Sequence, residues 1–177
     1  WDIKSENVLV VWGDKVFTET SIVGVETSDL MLTMGTVLEL AKDVNPNELI
    51  DNRAAYNNYA VWVPVRNDDG TYSKKLTLIS EHKKVYAGYM PLTKENISKV
   101  VFSALGNTYG WGGSLNSDDC SGYMRNVYKC FGIELARNTT WQTAMPMATI
   151  DLRNIAKEDR IRFLDAVPFG TILYFSG

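Results

Sequence analysis

The hydrophobic positions of this chain change their spacing near residue 90. Before it they fall in short runs of strand type: Val8 to Trp12 is unbroken and apolar and ends at Gly13-Asp14, Thr36 to Leu40 follows Gly35, and Val61, Val63 and Val65 alternate with Trp62 and Pro64. Asn67-Asp68-Asp69-Gly70 is a turn signal, and an extended segment resumes from Thr71 to Ile79. Many short strands punctuated by Gly, Asp and Asn predict a small barrel or sandwich. The polar stretch from Asn45-Pro46-Asn47-Glu48 to Asn58 reads as a long insertion loop. Pro64 has no amide to donate, which puts its strand at an edge or a bulge.

After Gly88-Tyr89-Met90-Pro91-Leu92 the spacing becomes helical. Thr93 can cap a helix with Glu95 in its first turn; Ile97, Val100, Val101, Ala104 and Leu105 then share one face, and Gly106 closes it. A glycine-aromatic loop follows, Thr108-Tyr109-Gly110-Trp111-Gly112-Gly113. A second helix is expected from about Cys120 to Phe131, capped by Asp118 or Asp119 and closed by Gly132, with Tyr123, Met124, Val127, Tyr128 and Phe131 as its buried stripe. Thr171 to Phe175 reads as a buried strand, and Lys157-Glu158-Asp159-Arg160 as a solvated face. The class is α+β, with residues 1–90 forming a β domain and 91–177 a helical and mixed one.

Composition narrows the function. Hydrophobic residues make up 45% and charged residues 22% of the 177, ordinary for a core-forming protein. A net charge of −3 with no basic stretch weighs against nucleic acid as a partner. No apolar run approaches the roughly 20 residues of a membrane span. The start, Trp1-Asp2-Ile3-Lys4, is neither an initiator methionine nor a signal peptide, so the chain reads as clipped there. Cys120 and Cys130, ten positions apart in one expected helix, are separated by about 15 Å along its axis, which excludes a disulfide. The single histidine lies elsewhere, so neither a metal site nor a cofactor is expected.

The order Asp119-Cys120-Ser121-Gly122 places a thiol at a helix N-terminus. The positive end of the macrodipole and unpaired amide protons there favour thiolate, and the same amides can donate to an oxyanion during acyl transfer. Gly110, Gly112 and Gly113 permit close backbone approach, and Tyr109 and Trp111 can wall a cleft. Read from spacing alone, Cys120 is either this nucleophile or a buried small hydrophobe, the usual state of a free cysteine. Asp119 could be no more than a cap, and Trp111 could be core. Trp12, Trp62, Tyr56 and Tyr59 could form a glycan- or peptide-binding face, but a packed barrel core explains Trp62 just as well, and the core is favoured. Arg137 is expected to pair with an acid at the end of the helix hairpin.

Tyr109-Gly110-Trp111-Gly112-Gly113, Asp119-Cys120-Ser121-Gly122, Val127-Tyr128 and Phe131-Gly132-Ile133-Glu134-Leu135, continued by Arg137-Asn138-Thr139-Thr140 and Gln142, resemble the signature of NlpC-type cysteine peptidases. The resemblance covers roughly residues 91 to 177 and implies a papain-like α/β core that cleaves peptides of peptidoglycan. Gly88 to Thr93 and the β half resemble the bacterial SH3-like domain that precedes the catalytic domain in γ-D-glutamyl-L-diamino acid endopeptidases. That subgroup usually carries a further SH3-like domain upstream. The implied architecture is therefore a small SH3-like β-barrel followed by part of an NlpC-type domain.

By the same resemblance the nucleophile is Cys120, forming a thioester. Asp119 helps hold the free amine of the substrate's L-alanine, and Ser121, Tyr109, Trp111 and Thr139 line the cleft. The implied partners are peptidoglycan stem peptides or muropeptides, and the implied location is the bacterial cell envelope or its exterior. Three departures stand out: Ala136 occupies a usual proline position, Phe169-Gly170-Thr171 replaces Pro-Gly-Asp with Pro168 displaced by one, and the catalytic histidine is expected just beyond Ser176-Gly177. His82, in Glu81-His82-Lys83-Lys84, reads as an ordinary surface residue, and the two lysines make it a poor base. Without a histidine the thiol lacks its general base, so this portion is expected to be inactive alone. The competing expectation is a non-catalytic wall-binding module carrying a degenerate peptidase domain.

Overall fold

A computed structural model describes residues 5–45 and 47–175. Trp1 to Lys4, Pro46, Ser176 and Gly177, which entered the reading above, lie outside the described residues. Five strands form one antiparallel sheet: β1 (Val8–Val11), β4 (Val37–Leu40), β7 (Asn58–Arg66), β8 (Tyr72–Ser80) and β9 (Val85–Ala87), in the order β8-β7-β4-β1-β9. Two separate hairpins accompany it, β2 (Lys15–Phe17) with β3 (Met31–Thr33), and β5 (Leu49–Ile50) with β6 (Arg53–Ala54).

This corrects two expectations. Among the described residues no closed barrel forms; the sheet is open, with β8 and β9 as its outer strands. The polar stretch 45–58 is not a plain loop, because Asp51 and Asn52 adopt left-handed backbone and turn Ile50 back toward Arg53. The expectation for Pro64 fits a local edge: β7 pairs with β8 along its whole length, but its register with β4 includes only Val61 and Trp62.

Four α-helices follow: α1 (Lys94–Phe102), α2 (Cys120–Lys129), α3 (Thr139–Thr143) and α4 (Lys157–Ala166). The Thr93 hydroxyl accepts from the Asn96 amide at 3.2 Å, as a cap should. α1 ends sooner than its apolar spacing suggests, and Leu105 is 83% exposed beyond it instead of buried. On α2, Val127 is buried, while Tyr123, Met124 and Tyr128 are half-buried. α4 buries none of its residues, so the Lys157–Arg160 face is solvated as read. Thr171 to Phe175 is not a strand: no described strand pairs with it, and Leu173 and Phe175 are exposed. Its approach is fixed instead by the Tyr128 hydroxyl, which donates to the Gly170 carbonyl. None of the described helices is long and apolar enough to cross a membrane.

The unbroken apolar run of β1 now has a cause. Val8 and Val10 point into a core with Met34, Ile97, Val100, Val127 and Cys130. Leu9 and Val11 point to the other side, toward Val16, Leu38, Val61, Val63 and Ile79. A strand covered on both faces has no polar positions to alternate with. The first of these cores joins the β-rich half to α1 and α2 across residue 90. Trp12 belongs to the same junction: it lies half-buried beneath the ammonium groups of Lys99 and Lys84, 4.4 and 5.7 Å from its ring centre, and its indole donates to the Val85 carbonyl at 3.3 Å. Trp62 and Tyr59 are half-buried, whereas Tyr56 is exposed.

Gly35 marks a close approach between the halves. Its φ is 77°, and a Cβ there would stand 2.9 Å from the Asn126 carbonyl oxygen of α2. Both the backbone angle and the contact exclude a side chain. Gly35→Ala should therefore destabilise the protein by roughly 1–3 kcal/mol, read as a lower urea midpoint at unchanged slope. An unaltered midpoint would show that α2 does not rest on this turn.

Candidate active site

The site is built around the first turn of α2. Asp119 has extended backbone (φ −85°, ψ 175°), and its carboxylate accepts from the Gly122 amide at 2.7 Å. Of the two candidate caps it is therefore Asp119 that serves, and Asp118 does something else. Asp118 is half-buried, accepts from the Asn126 side-chain amide at 3.0 Å, and has its carboxyl pushed up chiefly by burial. The cap places Cys120 as the first helical residue, with its thiol exposed. An exposed cysteine is not a packing hydrophobe. That role falls to Cys130, fully buried in the shared core, whose thiol lies 3.5 Å from the Val11 carbonyl.

The glycine-aromatic loop packs beside this turn. The Gly110 amide donates to the Asp118 carbonyl at 3.0 Å, and Tyr109 and Asp118 form a parallel bridge. At Gly110 a Cβ would lie 2.2 Å from the Ser114 carbonyl oxygen, so the loop closes only with glycine there. The registration sets Tyr109 beside the start of α2, where Cys120 and Asp119 act on its phenol. Desolvation and the neighbouring Cys120 and Asp119 charges push the phenol's pKa up, which keeps it a donor. Trp111 is 82% exposed and so is not core. Beyond it Leu115 and Asn116 take left-handed backbone (φ 59° and 52°). For leucine that is strained, and such strain gathers beside functional sites.

Arg137 pairs with Asp119, not with an acid at the end of the hairpin as expected. Its two terminal nitrogens donate to Oδ1 and Oδ2 at 3.0 and 2.8 Å, and one lies 3.5 Å from the Ser121 hydroxyl. Glu134 at that end is taken by Arg125, whose Nε donates to it at 2.9 Å. Held chiefly by Arg137 and also by the Gly122 amide and the Ser121 hydroxyl, the Asp119 carboxyl is lowered to about 2. A depressed carboxyl contributes its stability above its unfolded pKa and loses it as pH falls through the folded one. The charged cap therefore persists through the neutral range and gives way only in strong acid.

Of the remaining cleft candidates, Ser121 is buried, donating to Asp119 Oδ1 at 3.2 Å, and Thr139 is half-buried at the start of α3. No hydrogen bond joins Thr139 to Cys120 among the described residues. Gln142 braces the site from within. Its side chain is wholly buried on α3, and its amide donates to the Ser121 carbonyl at 3.0 Å and the Ala136 carbonyl at 2.8 Å. Its oxygen accepts from the Tyr174 hydroxyl at 3.3 Å. One side chain thus ties the residue after Cys120 to the residue before Arg137. In the sequence Gln142 stands only as the last residue of the resemblance, with no role attached to it. His82 lies on the exposed turn between β8 and β9 and makes no hydrogen bond with Cys120 among the described residues. No cluster of metal-ligating side chains occurs among the described residues either.

The two thiols should react very differently. Burial pushes Cys130 up to about 11, leaving on the order of one thiolate in a thousand at pH 8 behind a closed core. Cys120 is open to solvent at a helix N-terminus. Site-mapped alkylation of the native protein at mildly alkaline pH should label Cys120 at least about tenfold faster. Denaturant should abolish the difference. Equal labelling, or faster labelling of Cys130, would contradict this account.

Comparison with known proteins bears on this same segment. Residues 106–177 match the sequence model of the NlpC/P60 family. A search of curated proteins found no match. Among solved structures, the chain is similar to a novel NlpC/P60 endopeptidase from Photobacterium damselae subsp. piscicida, with a TM-score of 0.67 and 21% identity over 88% of this chain and 30% of that one. It is also similar to an NlpC/P60 family protein from Bacillus cereus ATCC 10987, with a TM-score of 0.54 and 18% identity over 83% of this chain and 43% of that one. The chain thus spans less than half the length of either protein. At these identities the likeness is one of fold, and it extends beyond residues 106–177 into the β-rich half.

Proposed function

We propose that the chain carries the nucleophile-bearing part of a cell-wall cysteine peptidase, and that Cys120 is that nucleophile. The observation that carries the reading is the solvent-open thiol at the capped N-terminus of α2, inside the segment matched to the NlpC/P60 family. In this reading the Cys120 thiolate attacks the carbonyl carbon of the scissile amide. The oxyanion that forms meets the free amides of the first α2 turn and the Tyr109 hydroxyl. Collapse expels the amine, which takes up a proton, and leaves an acyl thioester that water hydrolyses.

The bond is proposed to be the γ-D-glutamyl–diamino acid bond of a stem peptide or muropeptide. Asp119 would read the ammonium of the preceding L-alanine. Oδ1 already accepts from Gly122, Ser121 and Arg137, so a substrate ammonium has only the open side of Oδ2, which accepts from Arg137 alone. A charged hydrogen bond there contributes roughly 1.5–3 kcal/mol, and sharing it with Arg137 places the gain at the lower end. His82 is not proposed as the base, since it sits in an exposed turn with no hydrogen bond to the thiol among the described residues.

The test uses protein from the complete natural gene, given L-Ala-γ-D-Glu-diamino acid tripeptide with a free or an acetylated amine. Cleavage of the γ-glutamyl bond, lost in Cys120→Ala, is expected. The free peptide should be preferred about tenfold, and Asp119→Asn, which still caps, should reduce that preference. Residues 1–177 alone should give no turnover. Equal treatment of the two peptides would sink the amine reading. Binding without cleavage in the natural protein would favour the wall-binding module instead.

A further inference from the structure

We propose that Arg137 is a positioning residue for Cys120: its guanidinium forks onto both oxygens of Asp119, so that this carboxylate caps α2 without setting an uncompensated negative charge beside the thiolate. The inference rests on the reading of Cys120 as nucleophile and adds to it a residue that touches neither substrate nor sulfur. A cap alone needs no charge, because asparagine serves that position as well as aspartate. A carboxylate adjoining the nucleophile carries an electrostatic penalty, since like charge disfavours the second ionisation. The penalty is removed here by one group, bound through two parallel donors at 3.0 and 2.8 Å, the planar geometry that arginine provides and lysine does not.

The placement of that group is built in. Gln142 holds the Ala136 carbonyl, just before Arg137, and the Ser121 carbonyl, just after Cys120, from a fully buried position. Asn138, just after Arg137, caps α3 by accepting from the Trp141 amide at 2.9 Å. Arg137 is thus fixed on both sides, and the tip of its guanidinium stands 3.5 Å from where a Gly122 Cβ would be. The titratable and charged groups facing this turn are Tyr109 from the loop, Asp118 and Asp119 from the cap, Arg137 from the segment before α3, and Asp14, just before β2, on the far side of Asp118. Asp118 is turned to Asn126 and meets Arg137 only through space, which leaves Asp119 and Arg137 as the pair in direct contact.

The experiment is the pH profile of Cys120 alkylation in the 177-residue chain, with Cys130 replaced by Ser only if mass mapping fails to separate the two sites. Arg137→Gln should slow Cys120 labelling about three- to tenfold near neutral pH and move the profile to higher pH. Arg137→Lys, which keeps the charge without the fork, should stay within about twofold of the native rate. The double variant Asp119→Asn/Arg137→Gln should label within about twofold of the native rate, because a balanced pair removed together leaves the charge beside the sulfur nearly unchanged. An unchanged profile in Arg137→Gln would overturn the proposal. So would a double variant as slow as Arg137→Gln alone, which would mean that Arg137 acts on the sulfur directly or only on folding. Arg137→Lys behaving like Arg137→Gln would overturn the charge argument as well. Alkylation needs no substrate, so these outcomes are independent of whether Cys120 performs hydrolysis.

Discussion

The position of α2 is the constraint on which the rest depends. Its N-terminus is fixed by the Asp119 carboxylate on the Gly122 amide. Its C-terminal end is fixed by Cys130 and Val127 in the core they share with Val8 and Val10. Two cysteines on one helix thereby acquire opposite characters, one buried and inert, the other open at the positive end of the dipole. Without β1 behind it the helix would have no apolar surface to rest on, and isolated helices of this length are marginal in water.

Charge at this turn is arranged so that one carboxylate serves several donors. Asp119 satisfies a helix amide, a serine hydroxyl and an arginine, and what remains open on Oδ2 limits what a substrate can add. Buried ion pairs are often neutral for stability, because desolvation offsets attraction. The Arg137 side chain is nearly half exposed, so that cost is reduced here, and the pair's consequence is local electrostatics more than folding energy.

Much of this was legible in the chain. The unbroken Val8–Trp12 run, the Thr93 cap, the turn at Asn67–Gly70 and the order Asp119-Cys120-Ser121-Gly122 all follow from local chemistry, and the structure places them accordingly. What failed depends on distant partners. Closure of the sheet cannot be read from strand-like spacing, and the five strands stay open. Leu105 continued a helical stripe, but the helix had ended at Phe102. Thr171 to Phe175 has the composition of a strand and no described partner to pair with. Arg137 chose Asp119 over Glu134 because Arg125, nine residues before Glu134, reaches that acid first. Gln142 stood in the signature without a role, since a buried glutamine declares itself only through the two carbonyls it meets.

The claim that Cys120 is an acyl-transfer nucleophile is most directly tested by trapping the intermediate. Protein from the complete natural gene would be mixed with the free tripeptide, quenched in acid and mapped by mass spectrometry. The account predicts an L-Ala-γ-D-glutamyl adduct on the peptide containing Cys120, released by hydroxylamine and absent in Cys120→Ala. An adduct on another residue, or undiminished turnover by Cys120→Ala, would contradict it.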